Sequence, residues 1–211
     1  MYKPKVIVRD SDVHGLGVFA KQDIEEGEII LTERSHVFHY MKSHEIRIKA
    51  SDACFLVKKL IEKKAMMKQF KQLKLNCDEK HSVSMPDADN RFLRRLSYEN
   101  KLPFEELRDI WKVVCQYYMR ITFPPQTFRI QLSPFCNRLN HSNNYNAAVG
   151  HACRSYTAFL NNIVVVAAMR PIEAGEEVTI WYLPEHRAYY ADLSAINHDL
   201  KRLYGFESQS L

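Results

Sequence analysis

Strand-like texture at both ends of the chain brackets a helical, lysine-rich middle, so the β part of the fold has to be assembled from segments far apart in sequence. Val6–Val8 and Glu28–Glu33 are short, apolar and β-branched, and read as strands. His14-Gly15-Leu16-Gly17 and Glu25-Glu26-Gly27-Glu28 lie between them as turn signals, which makes residues 1–40 a set of hairpins. From Cys54 to Leu75 the apolar residues Leu56, Leu60, Ile61, Met67, Phe70 and Leu73 recur at helical spacing with lysines between them. Shorter helices are expected near Asp89–Leu96 and over Phe104–Met119, the second opening behind Pro103. Residues 44–128 therefore predict a helical, basic insertion. Strand texture returns at Phe128–Leu132, Tyr156–Leu160 and Ile163–Ala168, with Asn161-Asn162 as the hairpin turn between the last two. The Pro171–Gly175 turn leads into a last strand, Val178–Tyr182, and Glu185–Leu203 reads as a helix. The fold class is mostly β with a helical insertion, an α+β chain. One small echo is present, Ile24-x-x-Gly27-Glu28 against Ile172-x-x-Gly175-Glu176. It repeats a turn-into-strand device and is too short for a repeat architecture.

A chain of 211 residues with 46% hydrophobic content can bury one core, or one core with an inserted lobe. The first residues mix Lys3, Lys5, Arg9 and Asp10 with single apolar residues, which predicts no signal peptide. The longest apolar run, Ile163–Met169, falls far short of the roughly 20 residues of a membrane span. The five cysteines, Cys54, Cys77, Cys115, Cys136 and Cys153, are scattered, with no C-x-x-C pair to signal zinc or a disulfide framework. Cys77 and His81 supply only two ligands. Residues 42–80 hold eleven Lys/Arg against five Asp/Glu, so the net charge of +5 belongs to this segment. It is either a solvated helix face or an electrostatic dock for an acidic partner such as nucleic acid or a nucleosome surface. With only Phe55 and Phe70 as aromatic residues there, base stacking is not indicated.

Taken singly, the motifs have ordinary readings. Gly15 and Gly17 suit a tight hairpin, Asn140-His141-Ser142 a satisfied polar turn, Gly175-Glu176-Glu177 a solvated corner and Tyr182 a core aromatic. Their order is more specific. A glycine pair precedes Val18-Phe19-Ala20, then Ile24 and Gly27-Glu28; Arg138-Leu139-Asn140-His141-Ser142 follows, with Asn146 four residues on. Gly175-Glu176-Glu177-Val178-Thr179-Ile180-Trp181-Tyr182 and Leu203-Tyr204-Gly205-Phe206 complete the series. In this conjunction the chain resembles the SET-domain family of protein lysine methyltransferases, and within it the SET-and-MYND branch. The resemblance covers about 1–40 and 128–206 and leaves the insertion unexplained.

The resemblance implies a SET fold of small β-sheets, in which the C-terminal segment passes under an earlier loop and brings Asn140-His141 beside Tyr182. Residues 1–43 and 129–193 would form the two parts of the SET domain, and 194–211 a tail of the post-SET kind. It implies methyl transfer from S-adenosylmethionine to a lysine side chain of a histone or another protein, in the nucleus and/or cytoplasm. His14, Gly15, Leu16, Gly17, Asn140, His141, Tyr182 and Phe206 would bind the cofactor. Tyr182 would be the catalytic tyrosine, and Ile180, Trp181 and Tyr204 would line the substrate channel. Some family members carry an aromatic at the place of Ile180 that limits the product, so isoleucine predicts methylation beyond the first methyl group.

The chain also departs from the family pattern. Where zinc-bearing relatives have N-H-S-C and F-x-C-x-C, this chain has Asn143 and the tail Phe206-Glu207-Ser208-Gln209-Ser210, poor zinc ligands beside thiolates. No bound metal is expected, and the tail must be held by packing. Tyr145 replaces the motif's proline, and the MYND finger's Cys/His pattern is missing from the insertion. The rival expectation is a SET scaffold that binds a peptide or nucleosome without turnover.

Overall fold

The computed structural model describes residues 5–13, 15–35, 37–41, 50–71, 85–123, 127–150, 162–183, 190–204 and 206–208. In chain order the elements are β1 (Val6–Asp10), β2 (Leu16–Ala20), β3 (Ile29–Arg34), β4 (Val37–Met41), α1 (Ala50–Glu62), α2 (Lys64–Lys71), α3 (Asp87–Asn100) and α4 (Phe104–Tyr117). Then come β5 (Met119–Phe123), β6 (Thr127–Leu132), a 3-10 turn at Cys136–Arg138, β7 (Asn140–His141), β8 (Ala147–Gly150), β9 (Ile163–Ala168), β10 (Thr179–Ile180) and α5 (Leu193–Tyr204). They fall into two compact units, residues 1–35 with 135–211, and residues 36–134.

The first unit is built from three small sheets. Strands β1 and β2 form an antiparallel hairpin running from Val6↔Ala20 to Asp10↔Leu16. Strand β9 lies between β3 and β8, antiparallel to both. Its run Val164, Val165 and Val166 is buried, as expected of a central strand covered on both sides. The third sheet pairs β7 with β10 in parallel, Thr179 opposite Asn140 and Ile180 opposite His141. This pairing places two distant motifs side by side.

The sequence echo is a pairing of the two copies with each other. The Ile24 and Ile172 amides each donate to the other's carbonyl, both at 2.9 Å. Around this bridge the bonds repeat: Gly27 N–H to Ala168 O (2.9 Å) mirrors Gly175 N–H to Ala20 O (2.8 Å). Ala168 N–H to Glu28 O (3.0 Å) likewise mirrors Ala20 N–H to Glu176 O (2.9 Å). Both turns need glycine, since Gly27 has φ of 79° and Gly175 of 89°. Each turn closes with its glutamate accepting the amide three residues back, Glu28 from Glu25 (3.2 Å) and Glu176 from Glu173 (3.1 Å).

In the second unit β6 is the centre of an antiparallel sheet between β4 and β5. Ile130 and Leu132 of β6 and Val37 of β4 pack with Leu56, Leu60, Phe70, Leu93, Leu107 and Trp111 of the helices into one buried cluster. The apolar spacing read from Cys54 onward is thus a core stripe. Helix α3 stops where Lys101 turns left-handed (φ 54°) and donates its N–H to Ser97 O. Helix α4 then starts behind Pro103, as expected.

Some boundaries differ from the sequence expectation. The helix expected over Cys54–Leu75 is broken at Lys63 into α1 and α2. Strand β5 follows α4 with only Tyr118 between, and its first residue, Met119, was expected as the end of that helix. Of the helix expected over Glu185–Leu203, α5 takes up Leu193 onward: Tyr190–Asp192 are not helical, the Asp192 carboxylate accepts the Ala195 N–H (2.9 Å) and caps the first turn, and residues 185–189 lie outside the described residues. The expected strand over Val178–Tyr182 is confined to Thr179–Ile180. Asn162 takes the left-handed conformation (φ 57°) suited to the expected turn, while Tyr156–Leu160 and Asn161 lie outside the described residues. Among the described residues no helix is long and apolar enough to cross a membrane.

Candidate active site

The site residues all belong to the first unit. Gly15 turns the chain between β1 and β2 with φ of 49°, its carbonyl accepting the Ser11 N–H (2.9 Å). Gly17 follows in β2 and is packed so closely that a Cβ there would stand 2.1 Å from Glu177 Oε1. The Glu177 carboxylate is held by two neutral donors, Ser11 Oγ (2.7 Å) and Asn140 Nδ2 (2.7 Å). Asn140 Nδ2 also reaches the Leu16 carbonyl (3.3 Å), so one amide ties the glycine turn to the second motif.

The second motif is positioned from β3. Glu33 accepts the Phe135 amide (3.1 and 3.2 Å) and the Cys136 amide (3.0 Å), capping the 3-10 turn that leads into β7. Asn146 anchors its far side, accepting the Thr179 N–H (2.9 Å) and donating to Glu176 Oε1 and the Glu177 carbonyl (both 2.8 Å). The Glu176 carboxyl is held below the usual range against its burial, by bonds from Arg170, Asn146 and the Glu173 amide.

His141 is buried, and its protonation follows from its partners. Nδ1 accepts the Tyr182 N–H (3.2 Å), so the proton sits on Nε2, which faces Asn143 Oδ1 at 3.1 Å. Burial lowers its pKa from 6.5 to about 4, outweighing the bonds from Asn143 and Ile180. The imidazole is neutral near pH 7. Since the folded value lies below the unfolded one, stability from this group is complete above about 6.5 and is lost as the pH falls toward 4. The loss is on the order of 3 kcal/mol. Urea unfolding near pH 7 and near pH 4 measures it, and His141→Gln is expected to flatten that part of the stability curve. An unchanged slope in the variant would refute the assignment.

Around His141 stands a set of aromatic rings. Trp181, Tyr182 and Phe206 have ring centres at 5.0, 5.5 and 6.0 Å from it, and Tyr204 lies 5.1 Å from Tyr182. The Tyr182 hydroxyl donates to the Leu139 carbonyl, and the Tyr204 hydroxyl to the Tyr182 carbonyl (2.9 Å). Ile180 is buried in β10 opposite His141. The fold therefore brings together Leu16, Gly17, Asn140, His141, Ile180, Trp181, Tyr182, Tyr204 and Phe206, with Gly15 at the turn; His14 lies outside the described residues.

Sequence reasoning assigned no site role to Ser11 or Glu33, placed Glu177 in a motif without one, and offered Asn143 and Ser208 only as missing zinc ligands. The structure joins those two, Asn143 Nδ2 donating to Ser208 Oγ at 3.0 Å. Among the described residues there is no group of three or more His, Cys, Asp or Glu that could hold a metal ion. Burial pushes the thiols of Cys54, Cys115 and Cys136 up, which keeps them protonated.

The family model for the SET domain matches residues 15–183, and the chain belongs to this family. No curated protein matches the sequence. Among solved structures the chain is similar to the SET domain of LSMT bound to lysine and AdoHcy, with a TM-score of 0.58 and 17% identity over 99% of this chain and 54% of that one. It is also similar to Rubisco LSMT bound to sinefungin and monomethyllysine (TM-score 0.56, 18% identity, 99% of this chain and 53% of that one). A third likeness is to Rubisco LSMT bound to AdoMet (TM-score 0.54, 18% identity, 99% and 53%). The chain spans about half the length of these proteins, and the likeness is one of fold: small antiparallel sheets with a few helices.

Proposed function

We propose that this chain is a protein lysine N-methyltransferase that uses S-adenosylmethionine. The observation that carries the reading is the parallel pairing of β7 with β10, which sets Asn140 and His141 beside the Tyr182 phenol under Tyr204 and Phe206. The donor set suits the cofactor. A carboxylate held by neutral partners, Glu177, complements a cationic ligand, the Gly15–Gly17 turn offers bare backbone, and neutral His141 with the surrounding rings offers an apolar wall. The solved LSMT structures bound to AdoMet, AdoHcy and lysine support the same ligands here.

When bound, S-adenosylmethionine supplies an electrophilic methyl group on a cationic sulfur. The chain's own residues do the aligning, which is the main demand of an in-line displacement. Tyr182 spends its one hydroxyl proton on the Leu139 carbonyl, so its oxygen retains a lone pair to accept an N–H and aim an amine. Tyr204 and Phe206 wall the approach and exclude water, which favours the neutral amine over the ammonium of ordinary pKa near 10.4. Ile180 leaves room for more than one methyl group. The tail Leu203-Tyr204-Gly205-Phe206 supports kinship with the SET-and-MYND branch. The exposed Lys58, Lys63, Lys64 and Lys68 support docking of an acidic partner, such as a nucleosome surface, on the second unit.

Calorimetry with S-adenosylmethionine and transfer of its labelled methyl group into proteins of a cell extract test the reading. Saturable cofactor binding and a labelled lysine are expected, with di- or trimethyl product by mass spectrometry and labelling that weakens as salt rises. Absence of cofactor binding would sink the enzyme in favour of a scaffold. Monomethyl product alone would remove the role given to Ile180, and salt-independent labelling the basic dock.

A further inference from the structure

The segment Phe206–Ser208 carries the ring that stands 6.0 Å from His141 and 6.2 Å, edge-on, from Tyr182. Ser208 is gripped from two sides. On its own side, Asn197 of α5 accepts the Ser208 N–H at Oδ1 (2.8 Å) and donates from Nδ2 to the Ser208 carbonyl (3.2 Å). From the other side comes Asn143, in the loop after β7, donating from Nδ2 to Ser208 Oγ (3.0 Å).

The other end of the Asn143 amide faces His141 Nε2 at 3.1 Å. Because His141 Nδ1 already accepts the Tyr182 N–H, Nε2 must donate, and Asn143 must present its oxygen there and its NH₂ group to Ser208. The side chain is buried, 3% exposed, so these bonds have little competition from water. One amide thus links the imidazole to the tail that bears Phe206.

We propose that Asn143 is a positioning residue: its amide couples His141 to Ser208 and so sets where Phe206 closes over the cofactor site. The inference rests on the methyltransferase reading for what is being closed over. The coupling itself does not depend on that reading. Loss of the Ser208 hydroxyl leaves both Asn197 bonds in place, so the tail stays folded on α5 while its hydrogen bond to Asn143 is lost.

The test uses the full chain with Ser208→Ala, Ser208→Thr, Asn143→Leu and the Ser208→Ala/Asn143→Leu pair. Without cofactor, exchange of the Asn143 side-chain amide protons, which Ser208 Oγ accepts, is expected to quicken about tenfold in Ser208→Ala, the effect of one lost hydrogen bond, and to stay near wild type in Ser208→Thr. With S-adenosylmethionine, calorimetry is expected to show about tenfold weaker binding for Ser208→Ala, rescue in Ser208→Thr, and no further loss when Asn143→Leu is joined to Ser208→Ala beyond that of Asn143→Leu alone. Unchanged exchange in Ser208→Ala overturns the clip, and additive losses in the pair overturn the coupling. Should Asn143→Leu fail to fold, the two serine variants still decide. If the wild-type chain binds no cofactor while exchange responds as expected, the methyltransferase reading fails and the clip stands.

Discussion

Gly17→Ala is expected to weaken S-adenosylmethionine binding about a hundredfold while leaving the chain folded. The backbone at Gly17 is not left-handed, so an alanine is not strained by its own dihedral angles, and the effect is one of space. The new methyl group would meet Glu177 Oε1 at 2.1 Å, Glu177 Cδ at 2.8 Å and the Phe19 ring at 3.0 Å. The carboxylate must give way, and in doing so it leaves Ser11 Oγ and Asn140 Nδ2, each now 2.7 Å away. Those two hydrogen bonds to a charged acceptor, worth about 1.5–3 kcal/mol each, fix where the carboxylate stands. Freed from them it no longer presents its charge to the cofactor in one place, and a hundredfold loss of affinity corresponds to about 2.7 kcal/mol. Glu177→Ala provides the check by removing the atoms in the way. By itself it loses the same two bonds, and in combination with Gly17→Ala it should cost no more than it does alone. Calorimetry on the four proteins measures the cycle. Losses that simply add would show that Gly17 acts through something other than Glu177.

Much of this site could be read from local sequence, and the parts that could not share one property. The glycine turn, Asn140-His141 and the strand before Tyr182 are contiguous patterns, each legible without knowing its neighbours. Glu177 is not. It reads as a solvated corner after Gly175, and its partners Ser11 and Asn140 become neighbours only when β1 and β7 are brought to it. The Ile24 and Ile172 segments were visible as an echo, yet nothing local says that two similar turns pair with each other. Asn143 and Ser208 lack the chemistry of a metal ligand, and composition alone left the tail to packing; the hydrogen bond between them depends on the return of the chain after α5. The same holds for the fold. The helical stripe of α1 and the valine run of β9 were plain because their periodicity is internal. Strand β5 was hidden because it begins directly after a helix and is defined by its partner β6. The start of α5 was hidden for a different reason: Asp192 is an ordinary cap residue, and it stood inside the stretch expected to be helical.

Tyr182→Phe should separate catalysis from binding more cleanly than any other change in the site. The substitution removes one oxygen and keeps the ring, whose packing against His141 at 5.5 Å and Tyr204 at 5.1 Å is unaffected. The Leu139 carbonyl loses its donor, which costs about 1 kcal/mol of stability. Cofactor affinity should hold within a few-fold, because the Tyr182 N–H bond to His141 and the Asn140 amide are backbone or neighbouring features that the change does not touch. Turnover should fall by about a hundredfold to ten-thousandfold, the range in which a positioned side chain contributes to a proton-bearing nucleophile. Tyr204→Phe is the control. Its hydroxyl donates to the Tyr182 carbonyl and not toward Leu139, so it can shift Tyr182 only indirectly and should cost far less in kcat. Single-turnover methyl transfer at saturating cofactor, beside calorimetric affinities, gives both numbers. If Tyr182→Phe lost cofactor binding and kept its rate per bound cofactor, or if the two phenylalanine variants were equally mild, the phenol at position 182 would be a structural strut and the catalytic role assigned to it would be wrong.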